Sequence, residues 1–396
     1  MQSIYRQVSG LQRYRSVVYT EQLQNREQFP WDEVRVMTRQ VRPRPRGNFL
    51  LRFWFKHIVR QWPPPYPINR LPEEPWYPYN LPQLLAADSP AVVHAYYGHK
   101  AVKYLEMIEA WGGPWVVSFH GVDVVKNTDD PDYVATLREV FAKARLVLAR
   151  SMSLLQALEA LGCPRHKLRL NRTPIPLEAF PVIRRDPPED GRWRLIQACR
   201  LIGKKGLYTT LEALKTVVLH YPKIQWTLCG QGPEKERFLE ACDAMGLSAH
   251  VRLIGWLDQA KLRAEYERSH IFIHPSELTA GSDQEGIPNS MLEAMATGLP
   301  LVATRHGGIP EAATDGVDSL LVAERSPGQL AGALLHLLGD AALYRRLSEG
   351  AAKTVRENFG AAACISRLED AYDEALRPDP VVPRPEVKVP ATSGHA

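Results

Sequence analysis

The sequence predicts an α/β protein of two doubly wound domains that face each other across a cleft. Short apolar runs alternate with amphipathic helical stretches along almost the whole chain, an alternation typical of parallel sheets covered by helices on both faces. The length of 396 residues suits about two domains. Because ligands of such sheets bind beyond the carboxyl ends of the strands, the cleft is the expected functional region.

The predicted strands form two series. The first is SVVYT, VRVM, AVVHAYY, WVVSFH and LVLAR, and the second is WRLIQACR, IQWTLCG, HVRLIG, HIFIHPS, LPLVATR and SLLVA. Helical patterns lie between them, as in AVKYLEMIEAW, SMSLLQALEAL, KLRAEYERS and NSMLEAMAT. Each series is therefore expected to build one sheet with its own helices.

A Pro-rich, charged stretch without periodicity, residues 180–193, separates the two series and is predicted to be the linker. The domains are then residues 1–179 and 194–358. A helix over residues 359–377 is expected to return to the first domain. Residues 378–396 have little apolar periodicity and are expected to be a disordered tail.

Composition excludes several classes of protein. Hydrophobic residues make up 45% and charged residues 23% of the chain, as in ordinary globular proteins. No apolar run approaches the roughly 20 residues that cross a bilayer, and no secretory leader follows Met1, so a cytoplasmic location is expected. The five cysteines are odd in number and contain no C-x-x-C pair, which favours reduced thiols over disulfides or a zinc site.

Positive charge is concentrated at the amino terminus. Residues 1–70 hold thirteen Lys or Arg and four Asp or Glu, a net charge of +9, which leaves −4 for the rest of the chain. Such a basic region indicates an anionic surface as partner, and lipid headgroups and nucleic acid both fit at this point.

Within this region, PRPRGNFLLRFWFKHIVRQWPPPYP is predicted to contain one helix of about four turns. At helical spacing, one face would be basic, formed by Arg52, Lys56 and Arg60. Another face would be apolar, formed by Leu51, Trp54, Phe55, Ile58 and Trp62. A basic aromatic helix suits a membrane interface. A helix packed in the core with snorkelling cations fits the pattern equally well, and both interpretations stay open.

The stretch DQEGIPNSMLE, residues 283–293, places two carboxylates around the start of a predicted helix at the end of the strand HIFIHPS. Glu285 lies in the loop, Gly286 lets a ligand approach the backbone, and Asn289 or Ser290 can cap the helix. One carboxylate can face the reacting end of a ligand while Glu293 binds a hydroxyl farther along. The alternative is a capping box, in which Glu293 only supports the helix.

Two further constellations lie at strand ends. In ACRLIGKKGL, Arg200 and Lys204–Lys205 are placed to bind a diphosphate through charge-assisted hydrogen bonds. In SFHGVDV, His120 can face the cleft, although a packing histidine is the commoner case. A Gly-rich turn in CGQGPEKERF is not G-x-G-x-x-G and indicates only a tight turn.

Four ordered motifs, spread over about residues 90–360, carry a resemblance. They are H-G-x-D at 120–123, R-x-x-x-K-K-G at 200–206, E-x7-E at 285–293 and T-x-x-G-G-I-P-E at 304–311. Together they resemble family 4 glycosyltransferases of the GT-B fold, in particular members of the colanic-acid type that build bacterial exopolysaccharides.

The resemblance implies that the chain is a hexosyltransferase, transferring a sugar with retention from a nucleotide diphospho-sugar to a polysaccharide or lipid-linked acceptor. The acceptor side would be the first domain and the donor side the second. Arg200 and Lys205 would hold the donor diphosphate, Glu285 would bind the donor sugar, and Glu293 would bind the ribose. His120 would reach the reacting sugar from the first domain.

The same resemblance implies no metal and no cofactor beside the donor substrate, because fixed cations would oppose the charge on the leaving diphosphate. Backbone groups of Gly286, Ile287, Pro288 and Asn289 would contact sugar and phosphate. Peripheral association with the inner face of the plasma membrane would bring the enzyme to its acceptor.

One departure concerns the amino terminus. Family members begin with a strand and a short loop before the helix that here reads SIYRQVSGLQRY. The first domain is therefore expected to lack its initial strand, and a chain with such a strand upstream is expected to be more stable or more active.

Alternatives from other classes stay open. A GT-B nucleotide-sugar epimerase would give a different product, and a phosphorylase would need a cofactor-bearing lysine that the sequence does not identify. A non-catalytic, membrane-associated protein would bind nucleotide-sugars without turnover. Nucleic-acid binding is disfavoured because the chain carries no recognised nucleic-acid motif.

Overall fold

The computed structural model describes residues 2–41, 46–47, 53–60, 69–70, 76–125, 128–279 and 285–378. The predicted tail therefore lies outside the described residues except at its first position. All eleven predicted strands are present within the described part, and the predicted architecture of two Rossmann-like α/β domains is confirmed.

The first domain contains two parallel sheets. One has two strands, β1 (Val18–Thr20) and β2 (Val34–Val36). The other has four strands in sequential order, β5 (Val93–Tyr96), β6 (Trp115–Phe119), β7 (Leu146–Ala149) and β8 (Leu168–Leu170). Every residue of β6 and β7 is buried because helices cover both faces of the sheet.

The helices of this domain are amphipathic and short. They are α1 (Gln2–Gly10), α2 (Leu81–Asp88), α3 (Gly98–Trp111), α4 (Val122–Val125), α5 (Pro131–Lys143) and α6 (Met152–Ala160). Side-chain caps fix where two of them begin. Asp130 accepts from the N–H groups of Asp132 and Tyr133 at α5, and Ser151 accepts from that of Leu154 at α6.

A cavity of about 770 Å³ separates the two sheets of the first domain. Residues 13–21, which include β1, form one long wall, and residues 90–97, which include β5, form the other. Apolar side chains from α1, α2 and α3 line it above and below, among them Val8, Leu85 and Ile108. Within the described residues β1 pairs only with β2 and β5 only with β6, so the first-domain sheet is broken at this cavity.

The second domain has one six-stranded parallel sheet. Its strands are β9 (Arg194–Ala198), β10 (Gln225–Cys229), β11 (Val251–Gly255), β12 (Ile271–His274), β13 (Leu301–Thr304) and β14 (Ser319–Val322). Their spatial order is β11-β10-β9-β12-β13-β14. The winding direction therefore reverses between β9 and β12, and a crevice opens at the carboxyl ends of these two strands.

Seven helices surround that sheet in the described part of the domain. They are α7 (Leu207–His220), α8 (Lys235–Ala244), α9 (Gln259–Arg268), α10 (Asn289–Ala296), α11 (Ile309–Ala312), α12 (Pro327–Gly339) and α13 (Ala341–Phe359). Two apolar clusters fill the space between helices and sheet, one around Trp226 and one around Phe272.

The connecting segments tie the domains together. Residues 180–193 run along the second domain, where the Arg185 guanidinium donates to the Ser269 carbonyl oxygen (2.6 Å) and to Thr297 Oγ1 (3.0 Å). The last helix, α14 (Ala361–Leu376), packs on the first-domain sheet through Leu368, Ala371, Tyr372 and Ala375.

Only residues 53–60 of the helix predicted between the Pro-rich flanks are described, and they confirm it in part. The helical part is a single π-helical segment, Trp54–Ile58, and Arg60 follows it with a positive φ of 52°. Two-residue strands flank it, β3 (Arg46–Gly47) and β4 (Asn69–Arg70), which pair antiparallel. In the sequence, Pro43 and Pro45 precede this segment and Pro63, Pro64, Pro65 and Pro67 follow it, and a proline disfavours helical backbone at the residue before it. Arg52, Leu51 and Trp62 lie outside the described residues.

The alternative of a core-packed helix does not fit this segment. Phe53 is 51% exposed, Trp54 53% and Ile58 56%, and Lys56 is also exposed. None of the helices in the described part of the chain combines the length and apolar character that a transmembrane segment needs.

Candidate active site

The candidate site lies at the crevice between β9 and β12. After β9 the chain makes a turn through Arg200 and a 3₁₀ segment, Gly203–Lys205, before α7 begins. Gly206 joins the two with a φ of 62°, and a Cβ there would lie 1.8 Å from the Pro275 carbonyl oxygen that follows β12. This close approach brings Lys205 beside the loop that leaves β12.

Lys205 and Glu285 form a buried ion pair in this crevice. The Lys205 ammonium donates to Glu285 Oε2, and the two side chains are 9% and 14% exposed. Burial by itself raises the pKa of Glu285, but the charge of Lys205 and the hydrogen bond from its ammonium outweigh this effect and hold the pKa at about 2. Glu285 is therefore an ionised carboxylate at neutral pH.

A chain of hydrogen bonds fixes the backbone of Glu285. Its N–H donates to His306 Nε2 (3.0 Å), so His306 carries its proton on Nδ1 and donates to Glu324 Oε1 (2.8 Å). Glu324 Oε2 accepts from the Leu278 N–H (2.6 Å). The same carboxylate thus holds the loop on both sides of residues 280–284, which are outside the described residues.

The two glycines of the T-x-x-G-G-I-P-E motif pack directly on this loop. Gly307 has a φ of 52°, and a Cβ there would lie 2.0 Å from the Glu285 carbonyl oxygen. A Cβ on Gly308 would lie 2.9 Å from the carbonyl carbon of Gly286. Only glycine lets the segments approach so closely, which explains the physical role of this pair.

His120 follows β6 and approaches the loop from the first domain. A Cβ built on Gly286 would lie 3.8 Å from the His120 carbonyl oxygen, so the two domains meet at this point. His120 Nε2 lies 2.9 Å from Ser118 Oγ. Burial lowers the pKa of the imidazole well below its ordinary value, so the ring is neutral.

Asp123 fixes the turn that carries His120. One carboxylate oxygen accepts from the His120 N–H (2.8 Å) and the other from the Gly98 N–H at the start of α3 (3.2 Å). The aspartate of the H-G-x-D motif therefore joins the carboxyl ends of β5 and β6. Its role is to position the histidine.

Glu293 is buried on α10 and pairs with Arg6 of α1 rather than with its own helix. Arg6 Nη2 donates to Glu293 Oε1 (2.6 Å), and the side chains are 8% and 5% exposed. The capping-box alternative is wrong: Pro288 is the residue before the helix, no side chain caps it, and Ser290 Oγ donates to the Ala198 carbonyl oxygen (2.7 Å). The expectation that Asn289 or Ser290 caps the helix fails with it.

The remaining predicted residues differ in environment. Ile287 is buried, and the Asn289 side chain has a buried Oδ1 without a hydrogen-bond partner in the described part of the chain. Arg200 is exposed two residues beyond β9. The Gly-rich turn of CGQGPEKERF packs against the turn that carries Arg200, since a Cβ on Gly230 would lie 1.8 Å from the Cys199 carbonyl oxygen.

Sequence reasoning missed the face that α1 presents to the cleft. Ser3 accepts from the Arg150 guanidinium, Arg6 pairs with Glu293, and Gln7 Nε2 donates to Asn171 Oδ1 (3.0 Å). The i, i+3, i+4 spacing of these polar residues on a short helix was the available signal. His306 was also missed, because it occupies one of the two x positions of the T-x-x-G-G-I-P-E motif.

A second contact across the domains was also missed. Glu311, at the end of that motif, accepts from the N–H groups of Met152 and Ser153, the latter at 2.8 Å. These are the first free N–H groups of α6 in the first domain, where the helix dipole favours a carboxylate.

Two doubly wound domains that meet at a cation–carboxylate pair beside a switch point are typical of GT-B enzymes that transfer sugars. Residues 21–179 match the family described as Glycosyltransferase Family 4, and residues 180–354 match Glycosyl transferases group 1. The chain belongs to this glycosyltransferase family.

Relatives and solved structures agree with this assignment. The chain is 30% identical over 291 residues to the amylovoran biosynthesis glycosyltransferase AmsK of Erwinia amylovora, covering 72% of this chain and 69% of that protein. It is 30% identical over 216 residues to the putative colanic acid biosynthesis glycosyltransferase WcaL of Escherichia coli, covering 54% and 52%. The fold matches Anabaena Alr3699/HepE in complex with UDP-glucose (TM-score 0.70, 16% identity), covering 94% and 95%.

Proposed function

We propose that this chain is a retaining glycosyltransferase that moves a sugar from a nucleotide diphospho-sugar to a polysaccharide or lipid-linked acceptor in exopolysaccharide synthesis. The observation that carries the proposal is the buried Lys205–Glu285 pair at the switch point of the donor-side sheet, next to His120 of the other domain. The names of AmsK and WcaL support a role in exopolysaccharide synthesis, and the UDP-glucose bound in the HepE complex supports a nucleotide diphospho-sugar as donor.

The chemistry follows from the charges of the pair. When the bond between the anomeric carbon and the diphosphate oxygen breaks, negative charge grows on the diphosphate and positive charge on the sugar. The acceptor hydroxyl oxygen bonds to the anomeric carbon on the same face, and its proton passes to the leaving diphosphate. Lys205 can donate to the leaving oxygens, with Arg200 at the outer edge, and the ionised Glu285 can stabilise the positive sugar. Because Glu285 holds no proton at neutral pH, it does not act as a general acid in this proposal.

The remaining groups of the proposed site bind and orient. The backbone of residues 286–289 approaches the sugar and phosphates, and Glu293 binds the ribose after Arg6 releases it. The neutral His120 contributes a hydrogen bond to the reacting sugar. Lys205 and Arg200 balance the charge on the diphosphate, so the proposed reaction needs neither a metal ion nor another cofactor.

The first test changes the central pair. Glu285→Gln and Lys205→Ala are each expected to lower turnover about 100-fold or more, since each removes charge that is aligned with the transition state. The matched control is Lys215→Ala, an exposed lysine on α7. Near-normal rates for both site variants, with unchanged circular dichroism spectra, would contradict the proposal.

Three product measurements separate the finer claims. The anomeric configuration of the product, measured by NMR, should equal that of the donor. Rates should be unchanged by EDTA. A released sugar isomer in place of a glycoside would favour the epimerase, and donor binding without any product would favour the non-catalytic binding protein. A thermal-shift panel of UDP-, GDP- and ADP-sugars identifies the donor.

We further propose that the basic aromatic segment, residues 52–60, contacts an anionic membrane surface near the acceptor, on the cytoplasmic side. Exposed Phe53, Trp54 and Ile58 beside Lys56 support this, because aromatic and cationic side chains suit the headgroup region. Changing Arg52, Lys56 and Arg60 to Glu should weaken sedimentation with anionic vesicles. A control variant changes Lys215, Lys235 and Lys261 to Glu. An equal loss of vesicle binding in both triple variants would contradict a membrane contact through this segment.

A further inference from the structure

Arg150 is a cation at the cleft that the proposed reaction does not use. It follows β7 directly and so lies at the carboxyl end of the first-domain sheet. Burial lowers the pKa of its guanidinium to about 10, and the nearby Tyr97, Asp123 and Tyr96 offset only part of that effect.

Arg150 has no counter-ion within ion-pair distance among the residues that the structure describes. One nitrogen donates to the neutral hydroxyl of Ser3, and the buried Nε has no hydrogen-bond partner in the described part of the chain. Asp123, whose charge raises the pKa of Arg150, uses both oxygens on backbone N–H groups. A partly buried guanidinium with a buried, unbonded Nε is costly without a counter-ion, so the site favours an anion from outside.

The surroundings of Arg150 point to a ligand in the same place. His120 Nδ1 and Arg6 Nη1 are also buried without a hydrogen-bond partner in the described residues. Tyr97 has a φ of 75°, unusual for a residue with a side chain, and this places its ring 4.6 Å from that of His120. Backbone strain of this kind is typical of binding sites, where surrounding contacts maintain it.

We propose that Arg150 binds an oxyanion carried by the acceptor, either a phosphate of a lipid carrier or a carboxylate of an acidic sugar. The donor diphosphate has its cation in Lys205 on the other domain, so an anion at Arg150 belongs to the second substrate. This inference rests on the proposed function, because it assigns the acceptor of that same reaction.

The test compares Arg150→Gln with Arg150→Lys and with a matched control, Arg165→Gln, an exposed arginine of the same domain. Three acceptors are used: a neutral oligosaccharide, one that contains a uronate, and a diphosphate-linked one. Arg150→Gln should raise the KM of the anionic acceptor tenfold or more and leave the KM of the donor within twofold. Arg150→Lys should recover part of the loss.

The acceptor that responds identifies the source of the anion, carboxylate or phosphate. Equal KM values for neutral and anionic acceptors in wild type and Arg150→Gln would overturn the proposal. So would a rise in donor KM as large as that in acceptor KM.

Direct binding separates this inference from the proposed function and from a folding defect. With nucleoside diphosphate present in excess, titration calorimetry with a uronate disaccharide and with a short prenyl diphosphate should show binding of one of them to the wild type. Binding to wild type and not to Arg150→Gln supports the anion site even if no transfer occurs. If the variant does not fold, the wild type alone decides. The proposal is overturned if the wild type binds the uronate disaccharide and its neutral analogue with equal affinity and does not bind the prenyl diphosphate.

Discussion

At the scale of single residues, the Lys205–Glu285 pair is the central feature. Each partner is nearly buried, and each compensates the desolvation of the other. The pair keeps Glu285 ionised and Lys205 directed toward the crevice before any substrate is present. A donor diphosphate then has only to share the Lys205 ammonium, so little reorganisation is needed at the moment of reaction.

This pairing predicts a pH dependence of stability. The folded pKa of Glu285, about 2, lies below its ordinary value of 4.5, so the pair stabilises the fold above about pH 4.5 and loses this effect as pH falls toward 2. In Lys205→Met, burial dominates and the pKa of Glu285 rises instead. The free energy of unfolding should therefore fall below that of wild type by about 3 kcal/mol at pH 7, and by less at pH 3.

Urea unfolding between pH 3 and pH 7 measures this difference. The control is Lys215→Met, whose curve should run parallel to that of wild type. A constant gap between Lys205→Met and wild type across the range would contradict the assigned pair.

A second residue-scale prediction concerns Arg6 and Glu293. Arg6→Ala leaves a buried carboxylate without its partner and should cost about 3–5 kcal/mol in the free energy of unfolding. Burial already raises the pKa of Glu293, so the unpaired acid should take up a proton. The double variant Arg6→Leu/Glu293→Leu should recover most of the loss in urea unfolding. Additive losses would show that the two side chains are not coupled.

At the scale of elements, the start of α7 positions Lys205. Gly206→Ala would place a Cβ at a positive φ and against the Pro275 carbonyl oxygen, so the 3₁₀ turn has to move. We expect a clear loss of thermal stability and weaker binding of the donor nucleotide. Gly203→Ala, three residues earlier, has free space around its Cβ and an ordinary φ, and should leave both unchanged. Wild-type nucleotide affinity in Gly206→Ala would contradict the role of this turn.

The elements themselves were largely predictable from sequence. Each predicted strand is a short apolar run bounded by polar or turn residues, and such runs are reliable when the sheet is buried on both faces. Strand β8, Leu168–Leu170, was not predicted because three residues, one of them Arg169, carry too weak an apolar pattern. The helix around Trp54 was predicted, but its π-helical form was not, because side-chain spacing over so short a segment does not separate an α-helix from a π-helix.

The site was predictable only in part. Lys205 and Glu285 were found because each lies at a strand end beside glycine, a position that local sequence defines. Two partners were not found: Arg6, which pairs with Glu293, and His306, which bonds Glu285. These pairs lie 287 and 21 residues apart in sequence, so they depend on how the elements pack. The pairing of Glu311 with α6 depends on the arrangement of two domains and has no local signal.

At the scale of the whole molecule, the cavity between β1 and β5 interrupts the sheet of the first domain. Two strand edges face it with backbone groups that form no sheet contacts in the described residues, and apolar side chains line it. An extended apolar strand inserted there would join the two sheets and satisfy both edges.

We expect that an apolar strand of about five residues with a short glycine loop, fused ahead of Met1, raises Tm by about 5 °C or more. A control fusion has the same length but alternates Lys and Ser. Differential scanning calorimetry measures both, and equal Tm values for the apolar and the polar fusion would show that the cavity accepts no strand.

The domain arrangement brings both halves of the site together. Arg6 joins α1 to α10, Glu311 joins α11 to α6, and His120 lies against the loop of Glu285. Catalysis in this account depends on such closure, because water would otherwise compete with the acceptor.

The most direct measurement is a crystal structure with the nucleoside diphosphate of the donor bound. We predict that Lys205 Nζ lies within about 3 Å of a β-phosphate oxygen, with Glu285 near the position of the sugar. A diphosphate bound elsewhere, with the Lys205–Glu285 pair unchanged and remote from it, would contradict the account.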